Sequence, residues 1–195
     1  MKLQILSTKM QEDIFAALVT KLGSQEPQTR EKRRAAVSIV LSDRGAPKIL
    51  LIKRSEREGD PWSGQIAFPG GKFQEGDDSL KATAVREARE EVGIDLDLFS
   101  EFLGYLGSFK THTGDMEVVP VVFLLKEQVG VETNEEATSY MWIDLAKLAS
   151  GDAKSTYRLD FRDDAREVPA FRVGDYAIWG LTHRIISSLV EGILV

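Results

Sequence analysis

Three glutamates, Glu87, Glu90 and Glu91, crowd into the stretch AVREAREEVG at residues 84–93. On an α-helix they stand at i, i+3 and i+4 and share one face, where like charges repel. Two chemistries accommodate that spacing. One is an ordinary solvated face, with Arg86 pairing to Glu90 four residues on. The other is a site for a hard divalent cation, Mg²⁺ or Mn²⁺, which prefers carboxylates, carbonyls and water. Such an ion bridges phosphate oxygens and activates a water molecule. Gly70-Gly71, ahead of the helix, permits a close backbone turn that brings a main-chain carbonyl toward the same ion.

The elements that must hold these residues are legible around them. From about Ser79 to Val92 the chain has helix formers and no Gly or Pro, with Asp77, Asp78 or Ser79 as N-cap and Gly93 as the stop. Val85, Ala88 and Val92 form a separate apolar stripe for the core. Upstream, residues 35–42 and 48–54 read as a β-hairpin, and QIAF (65–68) as a short strand delivering the chain to Pro69-Gly70-Gly71. Downstream, strands are expected at 102–109, 116–125 and 138–143, then a short helix at 144–150 and strands around 156–161 and 168–173. Helices are expected at both ends, one carrying Ile14, Phe15, Leu18, Val19 and Leu22 before Gly23, the other Leu181, Ile185, Ile186, Leu189 and Val190. This mixture predicts an α/β or α+β domain with helices on the faces of a sheet. Residues 1–30 read as an N-terminal helix and connector, and 31–195 as the main domain with its C-terminal helix.

Composition narrows the function. The 195 residues carry a net charge of −6, which argues against a partner recognised through nucleic-acid phosphates or an anionic membrane. The one basic run, REKRR (Arg30 to Arg34), reads as a solvated linker. There are no cysteines, so disulfides, thiolate catalysis and cysteine-based zinc sites are excluded. No long apolar stretch suggests a signal peptide or a membrane span, and a cytoplasmic location is expected. His112 and His183 are too far apart in sequence to make a metal motif, and both read as structural. No GxxxxGK[ST] loop is present.

The helix and its approach resemble the Nudix box, usually written G-x5-E-x7-R-E-U-x-E-E-x-G-U with U aliphatic. The second half matches from Arg86-Glu87 through Glu90-Glu91 to Gly93-Ile94, with Ala88 smaller than usual. Counted back from Arg86, Asp78 stands where the family has glutamate and Lys72 where it has glycine, so the glycine pair falls one residue early. That expansion, with LLIKRS (50–55), GQIAFPGGK (64–72) and YAIWGLTHRIISSLVEGI (176–193), is similar to the branch that includes coenzyme A pyrophosphatases.

The resemblance implies a Nudix-type α/β/α sandwich around a mixed β-sheet and a metal-dependent enzyme that cleaves pyrophosphate linkages. It implies Glu87, Glu90, Glu91 and the Gly71 carbonyl as metal ligands for Mg²⁺ or Mn²⁺, with Arg86 orienting a neighbouring glutamate. Asp78 acts through a water or merely caps the helix. The general base is Glu91 or Glu136, with Glu135 adjacent to the latter. The substrate is a nucleoside diphosphate joined to another group, coenzyme A narrowly ahead of ADP-ribose or a nucleotide sugar. Damaged triphosphates are disfavoured. A catalytically silent nucleotide sensor is the reading that Asp78 keeps open. Coenzyme A members have a Leu-Arg-x-His-x-Gly stretch before the glycine pair, and this chain has Asp60-Pro61-Trp62-Ser63 in that region instead. Trp62 is placed to stack on a base or to anchor its loop. Arg54 is placed to pair with a phosphate, or with Glu56 or Asp60. Gln65 either reaches the site or is buried by its strand. A homodimer is left open by the resemblance.

Overall fold

The computed structural model describes residues 12–29, 31, 33–44, 46–58, 62–161 and 164–193. Asp60 and Pro61 of the expected substrate loop, residues 1–11 of the expected N-terminal helix and connector, and Arg30 and Lys32 of the REKRR run lie outside the described residues. After a helical stretch, α1 (12–19), the chain forms β1 (Arg33–Ser42), β2 (Lys48–Arg54), β3 (Ile66–Ala67), β4 (Gly70–Lys72), α2 (Leu80–Val92), α3 (Leu96–Phe99), β5 (Ser100–Tyr105), β6 (Phe109–Lys110) and β7 (Met116–Leu125). Then come β8 (Ala137–Asp144), α4 (Leu145–Ala149), β9 (Lys154–Phe161), β10 (Asp164–Val173), β11 (Tyr176–Trp179) and α5 (Gly180–Val190).

The main sheet is mixed, and its pairing makes a gap. β7 runs parallel to β1 from Arg33 to Leu41 and takes one whole edge of it. The other edge is shared: β2 pairs only with Leu41 and Ser42, whereas β4 pairs with Ala35, Ala36 and Val37. β2 is divided in the same way, with β8 along one edge and β1 and β3 on the other. β1 and β2 therefore splay apart, and residues 66–72 cross from β2 to β1 to fill the opening. Gly70 suits this crossing because a Cβ there would overlap the backbone of Ala36 and Val37.

β1 and β7 are buried on both faces and read as near-continuous apolar runs. One face packs Ala36, Val40, Leu50 and Ile52 against Leu80, Ala84, Ala88 and Val92 of α2. The other packs Ile39, Leu41, Ile49 and Leu51 with Ile14 and Leu18 of α1, Leu145 and Leu148 of α4, and Ile185, Ile186 and Leu189 of α5. The result is an α/β/α sandwich around a mixed sheet, the fold class that the sequence predicts. β9, β10 and β11 form a separate three-stranded antiparallel sheet.

The helix boundaries follow local chemistry. Ser79 caps α2 by accepting the Ala82 N–H at 3.1 Å, and Gly93, with φ of 69°, takes the left-handed conformation that ends it. Three details differ from expectation. The single strand predicted at 102–109 is two, because the ladder with β7 is interrupted at residues 106–108, between Tyr105↔Val121 and Phe109↔Val118. The glycine pair is itself a strand, since β1 offers it partners. β11 and α3 were not anticipated.

Candidate active site

Glu87 and Glu91 lie on the α2 face that meets Gly70 and Gly71 in the split of the sheet. Both are buried, 8% and 2% exposed, whereas Glu90, nearer the rim, is exposed. Glu91 Oε2 accepts the Gly70 N–H at 2.8 Å. Gly71 presses its backbone against Glu87, and a Cβ at that position would overlap the carboxylate. The residue type at 71 is thus set by a close approach between the turn and the helix.

Arg86 braces the cluster from one side. Its Nη1 donates to Glu87 Oε1 at 2.7 Å and to Glu90 Oε2 at 3.3 Å, and its Nη2 donates to the Lys72 carbonyl at 3.1 Å. Its firmest anchor is a residue that the sequence offered only as a helix cap. Asp77 accepts from Arg86 Nε at 3.0 Å and from Nη2 at 3.1 Å, a two-pronged pairing that fixes the guanidinium plane. Asp77 also accepts from the Thr83 hydroxyl at 2.8 Å and the Gln74 N–H at 3.0 Å. The bound Arg86 holds its pKa down at about 2, against an opposing effect of burial. Asp78, the residue aligned with the family glutamate, is exposed.

The buried carboxylates behave oppositely. Burial pushes Glu91 up to about 7, and the negative charges of Glu87 and Glu136 add to the rise. The Gly70 N–H and the Arg54 charge pull the other way without cancelling it. Glu87 is also raised, by burial first, with Glu90 and Glu136 adding repulsion to oppose Arg86. Arg54 and Glu136, although far from α2 in sequence, therefore act on its carboxylates. β2 and β8 bring them there, through Arg54↔Ala137 pairing and a 2.9 Å bond from the Ser55 N–H to the Glu136 carbonyl. The Glu136 side chain is exposed and lies 3.6 Å from Arg57.

The substrate-loop residues stand differently. Trp62 is 45% exposed, so it does not pack in the core. Gln65 is half-buried; its N–H reaches the Trp62 carbonyl at 3.3 Å, and its carbonyl accepts the Arg54 N–H at 2.9 Å. Lys53 pairs with Glu56 at 3.6 Å. His112 lies exposed in the turn before β7. His183 packs on Phe171 with ring centroids 4.7 Å apart. It lines a cleft of about 750 Å³ between α5, α4 and β10, among core residues of the face opposite α2.

Among the described residues, no three acidic or histidine side chains converge into a ready-made metal cage. The donor set nonetheless fits a hard divalent cation. It consists of carboxylate oxygens beside a glycine carbonyl, and the buried pair is strained toward protonation by burial and mutual repulsion, which a cation relieves.

The NUDIX domain family model matches residues 32–161. Over 168 residues the chain is 34% identical to the uncharacterized Nudix hydrolase NudL of Yersinia pestis (strain Pestoides F), spanning 84% of this chain and 81% of that protein. Among solved structures, a MutT/nudix family protein from Enterococcus faecalis aligns with a TM-score of 0.52 at 19% identity, covering 90% of this chain and 66% of the other. DR0079 from Deinococcus radiodurans aligns with a TM-score of 0.52 at 17% identity, covering 83% and 86%. At those identities the structures speak for the fold alone. The family model and the relatives show that the chain belongs to the Nudix family, hydrolases of pyrophosphate linkages. As a Nudix pyrophosphohydrolase it acts on small, pyrophosphate-containing, nucleotide-derived molecules.

Proposed function

We propose that this enzyme hydrolyses the pyrophosphate of a nucleoside diphosphate joined to another group, with a coenzyme A-like substrate narrowly favoured over ADP-ribose and nucleotide sugars. The observation that carries the reading is the burial of Glu87 and Glu91 against the Gly70-Gly71 turn at the split between β1 and β2, within electrostatic reach of Arg54 and Glu136. Glu87, Glu90, Glu91 and the Gly71 carbonyl would hold Mg²⁺ or Mn²⁺, the ions that Nudix hydrolases generally use. Bound there, the cation supplies charge neutralisation for the phosphate oxygens and an acidified water.

The remaining work falls to side chains. Arg86 holds Glu87 and Glu90 in place through its Asp77 anchor. Arg54 offers a guanidinium to a phosphate, and Gln65 lies at the same strand end. Glu91 takes the proton of the attacking water, as a buried carboxylate held at the glycine turn by the Gly70 N–H. Glu136 is the second reading for that role, since it faces the cluster without belonging to the buried pair. Trp62, 45% exposed, stacks on the base.

The coenzyme A preference rests on the flanking stretches 50–55, 64–72 and 176–193, and the altered loop at Trp62 weighs against it. The test incubates the protein with coenzyme A, ADP-ribose, nucleotide sugars and nucleoside triphosphates, each with Mg²⁺ or Mn²⁺, and identifies products by mass. Coenzyme A is expected to split into 3′,5′-ADP and phosphopantetheine, and Glu90→Gln to abolish the reaction. Turnover of ADP-ribose or a nucleotide sugar alone would overturn the coenzyme A preference. Binding without turnover of any of them would favour the silent sensor.

A further inference from the structure

The segment before β1, outside the residues matched by the family, makes an unusual circuit. Ile14 and Leu18 of α1 are fully buried on the α5 face of the sheet. The chain then rounds the β5 edge, where Gly23 and Tyr105 exchange two backbone hydrogen bonds of 2.9 Å each. Gly104, with φ of 143°, makes room for this crossing, because a Cβ there would overlap the Gly23 carbonyl and Leu22. On the α2 face, Glu26 Oε2 accepts the Leu80 N–H at 2.9 Å.

That last bond lands at a sensitive point. Leu80 is the first residue of α2, and its N–H has no acceptor inside the helix. A carboxylate there also opposes the positive end of the helix dipole. The turn it secures carries Ser79, the N-cap, and Asp77, the two-pronged anchor of Arg86. Arg86 in turn holds Glu87 and Glu90.

We infer that Glu26 is a positioning residue for the metal-binding carboxylates, acting through Leu80, Asp77 and Arg86. The inference rests on the reading of Glu87 and Glu90 as metal ligands. The N-terminal segment is then a strap that joins the two helical layers and sets the register of the catalytic helix, rather than an inert appendage.

The full-length protein and its Glu26→Ala and Glu26→Gln variants are compared for Mn²⁺ affinity by electron paramagnetic resonance, and for kcat and KM. Losing the acceptor is expected to weaken Mn²⁺ binding about fivefold, the factor matching the roughly 1 kcal/mol typical of a lost N-cap bond. kcat at subsaturating Mn²⁺ falls with it, while KM at saturating metal is unchanged. Glu26→Gln keeps an acceptor oxygen and restores most of the affinity. If Glu26→Ala lowers Tm alone, leaving Mn²⁺ affinity and kcat as in the wild type, Glu26 is merely structural and the inference is overturned. A Gln variant as impaired as the Ala variant overturns the hydrogen-bond relay. Wild-type protein that binds Mn²⁺ but turns nothing over sinks only the proposed activity, with the affinities still deciding the inference. Wild-type protein that binds no Mn²⁺ overturns both.

Discussion

The turn-and-helix region from Lys72 to Glu91 and the loop from Ser55 to Gln65 flank the same cleft but are built on different principles. In the first, the charged groups at the site are cross-braced: Asp77 holds Arg86, Arg86 holds Glu87, Glu90 and the Lys72 carbonyl, and the Gly70 N–H holds Glu91. In the second, Arg57 with Glu136 and Lys53 with Glu56 form long ion pairs of 3.6 Å each on exposed carboxylates, and Trp62 is 45% exposed. Water activation requires carboxylates held to a fraction of an ångström, so rigidity is built in there. Recognition of the group beyond the phosphates tolerates a surface loop that varies without disturbing the chemistry.

The sharpest way to expose the strain in the braced region is to remove metal and vary pH. Glu91 has a folded pKa of about 7 against an ordinary value of 4.5, so the folded state binds its proton more tightly than the unfolded chain does. Stability then falls as pH rises from 4.5 through 7, by on the order of 3 kcal/mol if that shift is realised in full. Glu87 is raised as well and acts in the same direction. Asp77 acts oppositely, but its pKa of about 2 lies below its ordinary 3.8, so its contribution is complete above 3.8 and lost only as pH falls through 2. Chelator-treated protein is therefore expected to lose Tm between pH 5 and 8, with Glu91→Gln flattening the profile. A flat wild-type profile over that range would remove the argument that burial strains the pair.

The difference between the regions also governs what could be read in the sequence. The helix was legible because Ser79 and Gly93 bound a run without breakers, and the three-carboxylate face follows from spacing alone. Asp77 was obscured by register. Counting back from Arg86 selects Asp78, whereas counting forward six residues from Gly71 reaches Asp77, and it is Asp77 that turns inward to the arginine. The strand at Gly70–Lys72 was invisible because glycine has little strand preference and the pairing comes from β1, over thirty residues earlier in the chain. The Glu26–Leu80 bond spans 54 residues and has no local signature at all.

Asp77 gives the comparison its next test. Asp77→Asn keeps the shape and part of the hydrogen bonding but removes the charge that pins Arg86, freeing the guanidinium to swing and to release Glu87 and Glu90. Partners that orient metal ligands typically matter by about 10- to 100-fold in metal affinity, and a loss of that size is expected in a Mn²⁺ titration. Asp78→Asn, one residue along on an exposed side chain, is the matched control and is expected to bind Mn²⁺ as the wild type does. Equal losses in the two variants would mean that charge near the helix start matters, not the specific pairing.

The loop should respond more weakly and in a different parameter. Trp62→Ala removes a ring that is 45% exposed and belongs to the loop rather than to α2 or the glycine turn, so kcat at saturating substrate should remain near the wild-type value. If the ring stacks on the base, KM rises by at least about fivefold, the low end of what one base–aromatic stack contributes. Trp62→Phe keeps a stacking face and recovers most of that loss. The rise should be confined to substrates that carry a base, and a base-free sugar diphosphate should show little change. A fall in kcat with KM unchanged would instead tie the loop to the braced side of the cleft, and the division between rigid chemistry and adaptable recognition would not hold at this position.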